Sequence, residues 1–151
     1  MKNKKSIKTL KYYLFLLMMW IAFILIVIYI KRPYYFDGHP RMNFIPALNL
    51  IDDVKIWESE GSLCFRHLLP WIYNLTIYVI PGILLALACP KTPYIRLILG
   101  CIGFSFFINT FRLITRWGEF DVDDIILNTL GFTVGYFADQ IIRRVSTHLN
   151  Q

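Results

Sequence analysis

Residues 116–136, R-W-G-E-F-D-V-D-D-I-I-L-N-T-L-G-F-T-V-G-Y, join a dense acidic loop directly to an apolar run that carries one asparagine and two glycines. With a helix from Asp124 onward, Asp124, Asn128, Gly131, Gly135 and Asp139 stand at offsets 0, 4, 7, 11 and 15. At about 100° per residue these offsets make one narrow stripe. In a lipid-embedded helix such a polar stripe must face protein or water, because hydrocarbon offers no hydrogen bonds.

The surrounding chain has the composition of a membrane protein. Its 151 residues are 56% hydrophobic and 17% aromatic, with only 17% charged, too apolar a balance for a soluble domain of this size. The formal charge of +6 does not point to nucleic acid, because the basic residues are spread between apolar runs instead of forming one patch. Cys64, Cys89 and Cys101 are odd in number, and His39, His67 and His148 are scattered. Neither set forms a disulfide framework or a zinc spacing, so no metal or other cofactor is expected. No nucleophile elbow, Gly-rich phosphate loop or H-E-x-x-H motif is present.

Four apolar segments punctuate the chain. Five lysines, at positions 2, 4, 5, 8 and 11, precede a charge-free run at 12–30, close to the roughly 20 residues a helix needs to cross the hydrocarbon core. It exceeds the apolar core of a signal peptide and has no small-residue cleavage site after it, so an uncleaved anchor is expected. Residues 31–67 form a polar connection punctuated by Pro33, Gly38, Pro40, Pro46 and Gly61. Within it Ala47, Leu48, Leu50, Ile51, Val54 and Trp57 fall at helical spacing, which predicts a short amphipathic helix at the membrane surface. The second span covers 68–89, with Pro70-Trp71 at its start. Pro81, followed by Gly82, removes the hydrogen bond to the carbonyl of Ile77, so a kink is expected and that carbonyl needs another donor. Asn74, Tyr78 and Pro81 share one face. The third span covers 97–115 and the fourth 125–142, closed by Arg143-Arg144. The fold expected is an all-α bundle of four transmembrane helices in a single domain, 1–151.

Charge orients this bundle. With the N-terminus inside, the inner segments hold nine basic residues against one acid, and the outer segments hold seven against nine. The positive-inside rule therefore predicts both termini in the cytoplasm of a multi-pass plasma-membrane protein.

The third span also carries a polar stripe: Cys101, Ser105, Asn109, Arg112 and Arg116. Arg112 lies about one turn below the outer helix end, level with Asp124 and Asn128. An arginine facing lipid costs at least about 2.5 kcal/mol on insertion scales, so Arg112 is expected to turn inward and pair with Asp124 or Asp123. Beyond such a pair, Arg41, Arg112 and Arg116 with Glu119, Asp121, Asp123 and Asp124 are candidates to line a cleft opening to the outer leaflet. Gly131-x-x-x-Gly135 permits close helix approach, within one bundle or between two copies, and leaves the oligomeric state open.

The acidic segment F-D-V-D-D-I-I-L-N-T-L-G-x-x-x-G-Y resembles the C-terminal signature of the VanZ-like family of bacterial membrane proteins. Arg41-Met42-Asn43-Phe44-Ile45-Pro46 is similar to that family's R-x-N-L-I-P-F element, and Asn74 with Pro81-Gly82 resembles its N-x(5-6)-P-x-G-like element. The family is named for a protein associated with teicoplanin resistance. In the third span, where the family pattern carries E-x-x-Q, Asn109 and Arg112 stand instead. A mechanism built on that glutamate is thereby put in doubt, whereas arginine suits a phosphate or carboxylate, with which it forms bidentate pairs. The resemblance implies an envelope protein that binds a lipid headgroup or glycopeptide-like molecule, with membrane lipids, an anionic lipid or a lipid-linked precursor as partners. The alternative is an intramembrane enzyme acting on a lipid-linked substrate through the outer carboxylates. The ligand-binding candidates are Arg41, Asn43, Asn74, Asn109, Arg112, Arg116, Asp121, Asp123, Asp124 and Asn128, with Pro81, Gly82, Gly131 and Gly135 for helix packing.

Overall fold

The computed structural model describes residues 2–30, 42–46, 51, 55 and 65–149. Four long helices dominate: α1 (Lys2–Ile30), α2 (Phe65–Ala88), α3 (Tyr94–Ile114) and α4 (Val122–Leu149). Each contains a stretch long and apolar enough to cross a membrane, namely Thr9–Val27, Trp71–Ala88, Tyr94–Ile114 and Val122–Thr147. Their outward faces carry exposed large apolar side chains such as Phe15, Met18, Leu99, Phe107 and Ile141, a surface suited to lipid and not to water. The chain is thus a multi-pass membrane protein built on four helices. The predicted amphipathic helix lies outside the described residues, apart from Ile51 and Lys55.

The helices outrun the spans expected from charge-free runs. α1 begins inside the lysine run, and α4 continues through Arg143 and Arg144 to Leu149. Lysine and arginine are good helix formers, so a charge marks where the membrane ends without ending the helix.

Packing follows the order α1, α2, α4, α3. The tightest pair is α2 with α4, and glycine makes it possible. A Cβ built on Gly131 would lie 2.0 Å from the Leu75 carbonyl oxygen, on Gly135 2.1 Å from that of Val79, and on Gly82 2.3 Å from that of Phe132. The two backbones therefore touch, as small-residue helix contacts in membranes do. The G-x-x-x-G face is occupied within one copy of the chain.

On the other side of α2, Trp20 of α1 packs edge-on against Tyr78, with ring centroids 5.2 Å apart. Its indole Nε1 donates to the Ile77 carbonyl at 3.0 Å. This is the carbonyl that Pro81 deprives of its helical partner, and α2 runs through the proline as one unbroken helix. Trp20 thus satisfies a backbone acceptor that lipid could not.

A feature absent from the expected all-α fold joins the loops. Strands β1 (Met42–Asn43) and β2 (Phe120–Asp121) pair in parallel, Met42 opposite Phe120 and Asn43 opposite Asp121, so the first loop is clamped to the third.

Candidate functional site

At the β1–β2 end of the bundle a cavity of about 210 Å³ opens between α1, α2, α3 and α4. Ile24, Val27, Ile77 and Ile108 supply its apolar walls, and Asn74, Asn109, Arg112, Asp124 and Asn128 its polar ones. The two stripes read from α3 and α4 therefore meet in one place. Ser105 and Asn109 are 0% and 1% exposed, which a membrane helix tolerates only when polar groups find partners.

Those partners form a continuous ladder. Asn109 Nδ2 donates to the Ser105 carbonyl at 3.1 Å, and Asn128 Nδ2 to Ser105 Oγ at 2.7 Å. Asn109 Oδ1 accepts the Asp121 amide at 3.3 Å. Asp121 Oδ1 in turn accepts Asn43 Nδ2 at 3.0 Å and the Asp123 amide at 2.9 Å. The last of these makes Asp121 the N-cap of α4, while Asp123 and Asp124 in the first turn complement the helix dipole. Asn43 closes its own turn as well, its Oδ1 accepting the Ile45 amide at 3.0 Å. Burial raises the Asp121 carboxyl above the usual aspartate range; the Asp123 amide opposes this, neighbouring Asp124 and Asp123 add to it, and the Asn43 amide opposes it.

Arg112 pairs with Asp124, the first of the two partners the sequence offered, at 2.8 Å between Nη1 and Oδ2. Asn74 Nδ2 donates to the other carboxylate oxygen, so both oxygens of Asp124 are engaged. The rest of the guanidinium lies over Gly118: a Cβ there would meet Nε at 2.6 Å and Nη2 at 2.9 Å. Gly118 is buried beneath the arginine, and a side chain at that position would push the guanidinium aside.

The turn that carries Gly118 is a Schellman motif. The Arg116 amide donates to the Leu113 carbonyl and the Trp117 amide to that of Arg112, with Arg116 left-handed at φ 56°. This reversal leaves the Arg116 side chain exposed and off the cavity wall.

Of the ten sequence candidates, Asn74, Asn109, Arg112, Asp124 and Asn128 line the cavity. Asn43 and Asp121 brace it from the loop side, and Asp123 is buried at the start of α4 without lining it. Arg116 points away, and Arg41 lies outside the described residues. Tyr73, Trp117 and Gly118 were not singled out. Tyr73 precedes Asn74 and falls off the counted face, and Trp117 and Gly118 belong to a turn whose shape no periodicity reveals. Among the described residues no three His, Cys, Asp or Glu side chains are grouped to hold a metal ion.

A family model described as VanZ/LLP1 matches residues 12–143, from within α1 to the last turns of α4. The chain belongs to the VanZ/LLP1 family. Neither a curated protein nor a solved structure matches it. In this VanZ/LLP1 chain the matched region includes every residue that lines the cavity.

Proposed function

We propose that this VanZ/LLP1 protein is a binder, without catalysis, that takes the anionic head of an envelope lipid or lipid-linked envelope precursor into the Arg112 cavity. One observation carries the reading. A guanidinium has five N–H donors, and among the described residues Arg112 engages one partner, Asp124, through Nη1. Its remaining donors lie beside a cavity to which α1 contributes Ile24 and Val27 and α2 contributes Ile77 beside the polar Asn74, so a phosphate or carboxylate can bond to the arginine while its tail follows Ile24, Val27 and Ile77. The site faces the outer leaflet of the bacterial plasma membrane, with both termini cytoplasmic. The proposal extends to a glycopeptide-like ligand and a link to teicoplanin resistance, for which the support is the family's name.

The alternative is an enzyme using the outer carboxylates. Against it, both oxygens of Asp124 are already engaged, one by the Asn74 amide and one by the Arg112 guanidinium. The two readings separate on purified protein given phosphatidylglycerol. A binder retains the lipid stoichiometrically and releases no product by mass spectrometry. Turnover that disappears on Asp121→Asn, Asp123→Asn or Asp124→Asn would establish the enzyme instead.

A further inference from the structure

A second cavity, of about 270 Å³, lies toward the other end of the bundle between α1, α2 and α3. Trp20 and Tyr78, both buried, stand between it and the Arg112 cavity. It runs along one face of α3, because Arg96, Gly100 and Phe104 are spaced by four residues and line it together. From Arg96 to Phe104 that face is roughly 12 Å long at 1.5 Å per residue. Gly100 forms the trough: a Cβ built there meets no atom within 4 Å. Leu17, Leu85 and Phe132 complete an apolar lining in which Arg96 supplies the charge.

We infer that this groove holds one acyl chain of an anionic phospholipid, with the lipid phosphate at Arg96. The volume argues for a chain and against a helix, whose diameter of about 10 Å needs more space than about 270 Å³ along this face. Charge argues for an anionic headgroup. The segments at this end of the bundle hold nine basic residues and one acid, Asp139, which is already bonded to Arg143 at 2.7 Å. A second copy docking here would bring basic residues against basic residues, whereas an anionic lipid complements them. Arg96 is exposed and is the third residue of α3, where the candidate span Tyr94–Ile114 begins, a position from which a long basic side chain can reach a lipid phosphate.

The test is native mass spectrometry of full-length protein in detergent, titrated with phosphatidylglycerol or phosphatidylcholine. Gly100→Phe fills the trough and should abolish retention of the lipid at this site. Gly103→Phe, on the same helix with equally open space around its Cβ but outside the groove, should retain it. Arg96→Gln should weaken phosphatidylglycerol by a factor of about five and leave phosphatidylcholine unchanged, the effect of one basic residue near the surface. If Gly100→Phe does not fold, the headgroup selectivity of Arg96→Gln decides. Equal retention by Gly100→Phe and wild type, or equal loss of both lipids on Arg96→Gln, would overturn the inference.

Discussion

The indole N–H of Trp20 in α1 donates to the carbonyl of Ile77 in α2, the one backbone acceptor that Pro81 leaves without its helical donor. A proline in a membrane helix is usually considered for the kink it makes. In this chain it also fixes where the first helix docks. Phenylalanine at position 20 removes the donor and leaves a buried carbonyl unsatisfied, so Trp20→Phe should cost about 1–3 kcal/mol. Pro81→Ala restores the helical N–H to Ile77 and should remove most of that penalty. Unfolding of the double-mutant cycle in detergent measures the coupling; additive costs would show that the indole bond contributes nothing.

The glycines divide into two groups. Gly82→Ala, Gly131→Ala and Gly135→Ala each drive a methyl group into a facing backbone carbonyl, which cannot swing away as a side chain can. Each should cost about 1–3 kcal/mol, the usual penalty of overpacking. Gly100→Ala and Gly103→Ala enter open space and should be neutral or stabilising by up to about 1 kcal/mol through helix propensity. Thermal unfolding of the five variants checks the division, and similar losses at all five would refute it.

Asp121 gives the fold a defined pH dependence. Its carboxyl, raised by burial, binds a proton more readily in the folded protein than in the unfolded chain. The protonated group therefore adds stability below the ordinary carboxylate range, and that contribution is lost as pH rises through the elevated value. Asp121→Asn keeps a neutral acceptor for Asn43 and the Asp123 amide and should flatten this part of the stability–pH curve. The reading is the unfolding midpoint of both forms from acidic to neutral pH; parallel curves would assign the titration to another group.

Orientation is tested by labelling. In a cysteine-free background, Ile45→Cys, exposed in the clamped first loop, should react with an impermeant thiol reagent applied to intact cells, and Thr92→Cys in the turn between α2 and α3 should not. Gly118 is unsuited to this use, because it is buried under Arg112. Reaction at residue 92 with silence at residue 45 would invert the topology.

The four spans, the two polar stripes and the Arg112–Asp124 pair were legible in the sequence, because lipid makes burial of polar groups obligatory and a stripe of period 3.6 gives its direction away. The need of the Ile77 carbonyl for a donor was legible too, but not that Trp20 would meet it, since interhelical contacts leave no periodic signal. The β1–β2 clamp was hidden for another reason: two-residue strands show no alternation. Arg116 was grouped with Arg112 by helical offset, and the left-handed turn at Arg116 itself breaks that offset. Gly118 carried no signal at all, because its role is to be absent from the space the guanidinium fills.

The structure also changes how the binding claim must be tested. Arg112→Gln alone leaves Asp124 without its cation at the edge of the membrane, so loss of folding would be mistaken for loss of ligand. The double variant Arg112→Gln, Asp124→Asn removes both charges while keeping amide groups that can bond to each other and to Asn74. The decisive measurement is phosphatidylglycerol occupancy of the Arg112 cavity by native mass spectrometry, with wild type and double variant compared at matched folded fraction and both carrying Gly100→Phe to close the second groove. The account predicts that occupancy falls at least about fivefold in the neutral double variant, as loss of a charged hydrogen-bond donor implies. Equal occupancy would make Arg112 and Asp124 a structural pair and contradict the binding role.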